Sequence, residues 1–107
     1  MAILESPHWE TISPEMRSLL VWIGRQTFAE RFYLAGGTAL ALQMGHRRSE
    51  NLDFFSESDE IHAHTRDVLI HIFSGRNGQV VENVDGNLLL LVDGLRTGFF
   101  SYGYPLL

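Results

Sequence analysis

The sequence predicts one α/β (α+β) domain that contains a mixed, largely antiparallel sheet with helices packed mainly on one face. Three observations support this prediction. Amphipathic stretches with helical spacing alternate with short apolar runs in the first two thirds of the chain. Three β-rich runs separated by Asp-Gly pairs fill the last third. The length of 107 residues and the hydrophobic share of 45% fit a single domain with a core of its own.

The first helix is predicted from Ser13 to about Arg31. Ser13 is a favoured N-cap residue, Pro14 suits the first helical position, and Glu15 adds an acid to the first turn. Gly24 weakens the middle of this helix without ending the apolar pattern. The apolar residues at helical spacing are Met16, Leu19, Leu20, Ile23 and Phe28.

A strand, a glycine turn and a second helix are predicted next. The apolar run Phe32–Ala35 indicates a buried strand, and Gly36-Gly37 ends it in a tight turn. Thr38 is a suitable cap for a helix over Ala39–Met44, and Gly45 lies where a left-handed C-cap residue is expected.

A polar loop leads into a second short strand and a third helix. The loop covers His46–Asn51, and the strand is predicted over Leu52–Phe55. Either Ser56, through a capping-box spacing, or Ser58 directly is expected to cap a helix that runs to about Phe73. The apolar face of that helix is predicted to contain Ile61, Val68, Leu69 and Ile72.

An antiparallel meander is predicted for the end of the chain. Its strands are expected over Gln79–Val84, Asn87–Val92 and Leu95–Tyr102. The pairs Asp85-Gly86 and Asp93-Gly94 separate them, and Asp-Gly between β-rich runs is a strong hairpin signal. No repeat, low-complexity segment or linker divides the sequence, so all 107 residues are predicted to form a single minimal domain.

Composition excludes several classes of function. The eight cations are all arginine, thirteen residues are acidic, and the net charge is −5. An acidic chain is a poor candidate for coating nucleic acid or an anionic membrane nonspecifically, although a local arginine patch can still bind phosphates. The absence of cysteine excludes disulfides, zinc thiolate sites and thiol nucleophiles. With no signal peptide and no long apolar run, we expect a soluble, cytoplasmic protein without a membrane partner.

The stretch Phe32–Ser56 contains the candidate chemistry. Two glycines at a strand-to-helix turn, Gly36 and Gly37, let the backbone approach a ligand closely, and the helix N-terminus after them offers amide groups to a phosphate. Thr38 can cap this helix or add a hydroxyl to a phosphate oxygen. Taken alone, Gly-Gly-Thr also occurs in ordinary tight turns.

Asn51 and Asp53 form a second candidate site. They are two residues apart on a predicted strand, so their side chains share one face. Two carboxylates in that arrangement can hold Mg²⁺ against a triphosphate. Here the first position is an amide, which offers a carbonyl oxygen but adds no negative charge.

Together these features resemble a known family. The segment Phe32–Ser56, FYLAGGTALALQMGHRRSENLDFFS, is similar to the nucleotidyltransferase toxins of the abortive-infection AbiEii/AbiGii family, within the polymerase-beta-like nucleotidyltransferase superfamily. Members share a strand, a Gly-Gly-Ser or Gly-Gly-Thr turn, a helix, and a strand with Asp-x-Asp. The final segment Phe99–Leu107, FFSYGYPLL, also resembles the family.

The resemblance implies a nucleotidyltransferase-like sheet that binds a nucleoside triphosphate and Mg²⁺. Active relatives transfer a nucleotide to an RNA or protein acceptor, and the type IV toxin–antitoxin setting implies an antitoxin partner. By this resemblance Gly36, Gly37 and Thr38 match the phosphate-binding turn.

The resemblance also assigns roles to residues before and on the second strand. Asp53 matches the second metal-binding aspartate, which makes it the candidate catalytic residue. Asn51 is the candidate weak second metal ligand. Arg47 and Arg48 lie in the loop before Asp53 and are candidate contacts to the nucleotide phosphates or the acceptor.

The sequence departs from the family pattern in three ways. Asn51 replaces the first metal-binding aspartate. The third carboxylate, expected on the strand that contains Arg96–Phe99, is missing because Thr97 or Gly98 occupies its position. The family also continues into a helical C-terminal region, whereas this sequence stops at Leu107. Removing carboxylates weakens a site for a hard cation, so enzymatic activity is an open question at this stage.

Two functions from different classes follow. The first is a nucleotidyltransferase-like toxin-family domain that transfers a nucleotide to an RNA or protein acceptor. The second is a catalytically degenerate interaction or oligomerisation module on the same fold, favoured by the replaced acids and by a sheet edge that invites a second copy. A tight homodimer that covers the cleft between Gly36 and Asp53 would distinguish the second function from the first.

Overall fold

The computed structural model of the chain describes residues 8–35, Leu42, 51–57 and 61–101. Neither of the two α-helices among these residues is long and apolar enough to cross a bilayer. Short 3-10 helices cover Trp9–Thr11 and Thr27–Arg31. The main elements are α1 (Pro14–Gly24), β1 (Tyr33–Ala35), β2 (Asn51–Ser56), α2 (Ala63–Ser74), β3 (Gly78–Val84), β4 (Asn87–Val92) and β5 (Leu95–Ser101).

The five strands form one mixed sheet in the order β1-β2-β5-β4-β3. Strands β2 and β5 are parallel, and the other neighbouring pairs are antiparallel. The predicted fold class is therefore confirmed, as is the meander of the last three strands. In the turn between β4 and β5, Asp93 and Gly94 have φ values of 52° and 81°. Positive φ at both central residues is what a type I′ hairpin turn requires.

The core lies between the two helices and one face of the sheet. Burial alternates along β2 and β4, so every second side chain of these strands points toward the helices. Phe99 of β5 lies at the centre, with ring centroids 5.2 to 5.9 Å from four other phenylalanines. Those four are Phe28, Phe32, Phe54 and Phe73. The helices contribute Met16, Leu19, Leu20, Ile23 and Leu69 to the same cluster.

Helix α1 begins as predicted and ends earlier. Ser13 caps it, since its Oγ accepts a hydrogen bond at 3.1 Å from a backbone N–H in the first turn. The helix ends at Gly24, and the predicted end near Arg31 is wrong. A continued helix would turn polar residues toward the core, whereas the 3-10 helix that follows buries Phe28 and Ala29.

Helix α2 begins later than predicted. Its first residue is Ala63, and Ser56 belongs to β2, so the predicted cap at Ser56 or Ser58 is wrong. Ile61 lies before the helix with a φ of 55° and is fully buried. Its carbonyl oxygen accepts a hydrogen bond at 2.7 Å from the guanidinium group of Arg66. In a helix that began earlier, this carbonyl oxygen would accept a hydrogen bond from a backbone N–H of the first turn. Here it accepts one from the Arg66 side chain.

The Arg66 guanidinium group also attaches α2 to the hairpin between β3 and β4. It donates hydrogen bonds to Asn83 Oδ1 and Asp85 Oδ1, each at 2.6 Å. The hydrogen bond and the charge of Arg66 hold the pKa of Asp85 below its ordinary value. The helix and the outer hairpin are therefore joined by a polar clamp as well as by the apolar core.

Several predicted features lie outside the described residues. They include the glycine turn with Thr38 and the end of the last predicted strand at Tyr102. The predicted helix over Ala39–Met44 also lies outside them, apart from Leu42. Leu42 is helical and buried, which agrees with that prediction at one position.

Candidate functional site

The candidate site lies on the face of the sheet that points away from the helices. Burial alternates along β2, and Asn51 and Asp53 fall on the outer face, as predicted. On the parallel strand β5, Arg96 and Gly98 are the Cα partners of Asn51 and Asp53. We call these four residues the outer-face site. The pairing of β2 with β5 brings them together, although the two strands are far apart in the sequence.

Asp53 is the half-buried carboxylate of this site. Burial raises the pKa of the Asp53 carboxyl group above its ordinary value, and the positive charge of Arg96 partly opposes that shift. Because burial is the larger effect, the ionised carboxylate destabilises the folded state. A carboxylate kept in such surroundings is typical of functional positions.

Gly98 occupies the position beside Asp53 where the third carboxylate was expected. Of the two candidate positions, Thr97 is buried on the core face opposite Leu52. A Cβ atom built on Gly98 would lie 3.4 Å from Asp53 Oδ1, so this position faces the carboxylate. The same Cβ atom would lie 2.8 Å from Phe100 Cζ. The phenyl ring of Phe100 therefore fills the space that an acidic side chain would need.

The outer-face site contains one carboxylate and one guanidinium group. Within the part of the chain that the structure describes, no three His, Cys, Asp or Glu side chains come together to hold a metal ion. Mg²⁺ is often bound through one or two carboxylates together with substrate phosphates. Asp53, with the amide oxygen of Asn51, fits a Mg²⁺ ion that binds together with a triphosphate. One carboxylate and one amide supply too little ligand charge for a Mg²⁺ ion held by the protein without a triphosphate.

The double variant Gly98→Asp/Phe100→Ala is expected to gain a divalent-cation site that Gly98→Asp alone lacks. Its new carboxylate would lie next to Asp53, and adjacent carboxylates bind hard cations. With the Phe100 ring in place, the added side chain must displace it, which lowers the free energy of unfolding by about 1–3 kcal/mol.

Thermal unfolding with and without Mn²⁺ checks this prediction, with Phe100→Ala as the control. The Mn²⁺-dependent rise in Tm should be confined to the double variant. An equal rise in Gly98→Asp alone would contradict the blocking role given to Phe100.

The residues predicted from sequence divide into two groups. Asn51 and Asp53 are described, and the structure brings them together on one face. Ala35, the residue before Gly36 in the sequence, is the Cα partner of Asp53 across β1 and β2. The other predicted site residues, Gly36, Gly37, Thr38, Arg47 and Arg48, lie outside the described residues, and their roles stay predictions.

Sequence analysis missed two residues of this face, Arg96 and Phe100. Their spacing on β5 is the alternation of a strand, which shows that they share a face with Gly98. That signal does not say which strand lies alongside. Parallel pairing of β2 with β5 joins distant segments, so no local pattern could have placed Arg96 beside Asn51.

Comparison with known proteins bears on the family and the fold of the chain. Residues 18–103 match the family described as the nucleotidyl transferase AbiEii toxin of the type IV toxin–antitoxin system. An uncharacterised protein of Aquifex aeolicus (strain VF5) is 35% identical over 97 residues. That match covers 90% of this chain and 46% of the relative, so the chain spans about half the length of the curated relative.

A solved structure shows a similar fold. It is the CCA-adding enzyme of Thermotoga maritima in complex with a tRNA, and it superposes with a TM-score of 0.63 at 18% sequence identity. The likeness covers 88% of this chain and 22% of that one. At this level of identity it shows the shared fold, and function has to be argued from the site.

Proposed function

The chain belongs to the AbiEii family of nucleotidyl transferase toxins from type IV toxin–antitoxin systems, and on this premise we propose that it binds a nucleoside triphosphate at the outer-face site and transfers a nucleotide to an RNA or protein acceptor. The observation that carries the proposal is the position of Asp53. Its half-buried carboxylate lies on β2, between β1 and β5, on the face of the sheet opposite α1 and α2.

The triphosphate is proposed to lie between Asp53 and the glycine turn. Ala35 is the Cα partner of Asp53, and the sequence runs on from Ala35 into Gly36-Gly37-Thr38. Backbone amides of a glycine-rich turn at a helix start suit phosphate oxygens. Arg47 and Arg48 are proposed as further contacts to the phosphates or to the acceptor, because they precede Asp53 by only a few residues.

Mg²⁺ is the proposed cofactor. Asp53 and the amide oxygen of Asn51 would hold it together with the triphosphate oxygens. Bound there, the ion would neutralise charge on the phosphates as the bond to the leaving pyrophosphate breaks. Arg96 adds a fixed positive charge on the same face, which suits a phosphate oxygen directly. In this proposal the missing carboxylates weaken the binding of Mg²⁺, and Arg96 partly offsets the resulting loss of nucleotide affinity. It does so because it contacts a phosphate directly, without a metal ion.

An antitoxin partner and a cytoplasmic location belong to the same proposal. The family description names a toxin of a type IV toxin–antitoxin system, and the proposed antitoxin partner rests on that description. The location is a prediction from the sequence. Both would be examined in cells once nucleotide binding has been established.

Asn51→Asp is expected to strengthen Mg²⁺-dependent binding of the triphosphate. The substitution adds a second carboxylate on the same face as Asp53, and ligand charge controls the affinity of such sites. We expect the Kd to fall about tenfold, which equals about 1.4 kcal/mol. Isothermal titration of each nucleoside triphosphate with and without Mg²⁺ measures this.

Gln79→Glu is the matched control for Asn51→Asp. It adds the same charge on the exposed strand β3, away from the outer-face site, and should leave the Kd unchanged. If Asn51→Asp also leaves affinity unchanged, the metal-binding position has been assigned to the wrong residues.

A non-catalytic interaction module is the second candidate function, favoured by the exposure of β3. This edge strand carries Val80, Val81 and Val84, whose exposed fractions are 43 to 50%. An edge strand with apolar side chains can pair with a strand of another chain. The register shift between Val80 and Glu82 is a bulge, which opposes such pairing.

Light scattering after size-exclusion chromatography distinguishes the two candidates. A tight homodimer that buries the outer-face site and binds no triphosphate would favour the module. A monomer that binds the triphosphate would favour the transferase.

A further inference from the structure

A cavity of about 420 Å³ opens on the exposed side of α1. Its lining includes three arginines, Arg17, Arg25 and Arg76, together with Ser18 and Trp22. We call it the arginine cavity. None of its described lining residues belongs to the outer-face site, and its volume falls in the range of small-molecule sites, about 300–1,000 Å³.

Positive charge is concentrated in this cavity. Three of the eight cations of a chain with net charge −5 line it, and no acidic residue is among the described lining residues. Arg17 and Arg25 take part in none of the ion pairs found within the described part of the chain. Among residues 8–35, 42, 51–57 and 61–101, no carboxylate therefore neutralises these two exposed guanidinium groups.

Arg76 brings a third guanidinium group to α1 from the turn after α2. Its terminal nitrogen donates a hydrogen bond to Ser18 Oγ at 3.4 Å, and its Nε lies 3.7 Å from Asp93 Oδ2. Its guanidinium carbon lies 5.2 Å from the centre of the Trp22 ring, which packs edge-on against Phe73. These contacts hold the group in place before any ligand binds, which reduces the entropy lost on binding.

Arg17 is held in a similar way. Its guanidinium carbon lies 4.6 Å from the centre of the Trp9 ring. Arg17 lies in the first half of α1, and Arg25 is the C-cap residue directly after its last residue, Gly24. Both side chains line the same cavity. Contacts with tryptophan rings thus hold Arg17 and Arg76 in place, and all three guanidinium groups line one cavity.

We propose that the arginine cavity binds a phosphate-bearing ligand. A phosphate group carries up to two negative charges and several acceptor oxygens, which planar guanidinium groups bind through paired hydrogen bonds. Because Arg76 is already paired with Asp93, one carboxylate would neutralise only one of Arg17 and Arg25, whereas a phosphate can neutralise both. The cavity also has room for an organic part attached to the phosphate, next to the Trp22 ring.

Two sources of such a phosphate share this chemistry. One is a free nucleotide, and the other is the backbone of a nucleic acid. Neither depends on the proposed transfer reaction, because the cavity and the outer-face site share no described residue.

Isothermal titration in EDTA tests the proposal with three probes: inorganic phosphate, adenosine monophosphate and a short single-stranded oligonucleotide. EDTA removes divalent cations and with them the Mg²⁺-dependent binding at the outer-face site. Any metal-independent binding there through Arg96 is common to the wild type and the cavity variants, so the difference between them reports the arginine cavity. The variants are Arg25→Gln and Arg17→Gln/Arg25→Gln, whose side chains are exposed and can be changed without disturbing the core. Arg31→Gln removes the same charge at an exposed position that is not among the described lining residues.

At least one probe should bind, and the Kd should rise at least about tenfold in the double variant and stay unchanged in Arg31→Gln. If adenosine monophosphate binds as tightly as the oligonucleotide, the ligand of the cavity is a free nucleotide. Tighter binding of the oligonucleotide that weakens steeply with salt identifies a nucleic-acid backbone. Absence of binding by all three probes, or equal binding by the double variant and the wild type, would overturn the proposal.

Discussion

Asp53→Asn is expected to abolish Mg²⁺-dependent binding of a nucleoside triphosphate and, at the same time, to stabilise the folded chain. The substitution removes the single carboxylate of the outer-face site. Without it, the proposed Mg²⁺ site has no charged ligand among the described residues, and we expect the Kd for the triphosphate in Mg²⁺ to rise by at least about tenfold. Isothermal titration in Mg²⁺ and in EDTA measures the effect.

The stability effect follows from the pKa of Asp53. Burial raises this pKa in the folded state above its unfolded value. The contribution of Asp53 to stability is therefore fully present below the unfolded pKa and is lost as pH rises through the folded pKa. At neutral pH the wild type carries an ionised, half-buried carboxylate, and asparagine removes that penalty.

Thermal unfolding across pH measures this second effect. Asp53→Asn should have a higher Tm than the wild type at neutral pH, and the difference should shrink toward acidic pH, where the carboxyl group is protonated in both states. Asp67→Asn, which removes an exposed carboxylate from α2, should leave triphosphate binding unchanged. A variant of Asp53 that binds the triphosphate like the wild type would refute the assigned role. A lower Tm at neutral pH would refute the argument from burial.

Phe99→Ala is expected to lower the free energy of unfolding by about 3–5 kcal/mol. Phe99 is fully buried, and its ring contacts those of Phe28, Phe32, Phe54 and Phe73. The substitution leaves a cavity at the point where α2, the 3-10 helix Thr27–Arg31, β2 and β5 meet. Domains of this size have a total stability of about 5–15 kcal/mol, so much of it would be lost.

Urea unfolding measures this loss, and the neighbouring residue supplies the control. Phe100 points to the outer face and is half-buried, so Phe100→Ala should cost clearly less than Phe99→Ala. Phe99→Leu should fall between them, because it leaves a smaller cavity. Similar losses for the two alanine variants would mean that the core is not centred on Phe99.

The core and the candidate site occupy opposite faces of the same strands. Leu52 and Phe54 point into the core from β2, while Asn51 and Asp53 point outward. Because the outer positions contribute little to the apolar cluster, carboxylates there can be replaced without unfolding the domain. The asparagine at position 51 and the glycine at position 98 are therefore compatible with a fully formed nucleotidyltransferase fold.

Local signals in the sequence were sufficient for much of the fold. Ser13 and Pro14 predicted where α1 begins, since capping depends on residues within one turn. Asp93-Gly94 predicted the last hairpin, because its turn needs residues that adopt positive φ. The alternation along β2 predicted that Asn51 and Asp53 share a face. Each of these features depends on residues that are close in the chain.

Long-range contacts decided what the sequence could not show. Helix α1 ends at Gly24 because a longer helix would turn polar residues toward the core. Helix α2 starts after Ile61, whose carbonyl oxygen binds the Arg66 side chain. Both predicted boundaries were therefore wrong. The parallel pairing of β2 with β5 placed Gly98 beside Asp53, with the Phe100 ring filling the space of a further acid. Packing against Trp22 likewise brought Arg76 from the turn after α2 to the cavity on α1.

The sequence by itself therefore determined the class of fold, the hairpins and the face on which Asp53 lies, because these follow from backbone geometry over a few residues. Only the tertiary structure decided which side chains surround Asp53 and which arginines converge on α1. Those neighbours come from segments far apart in the chain, and their meeting depends on strand register and core packing, which no local pattern encodes.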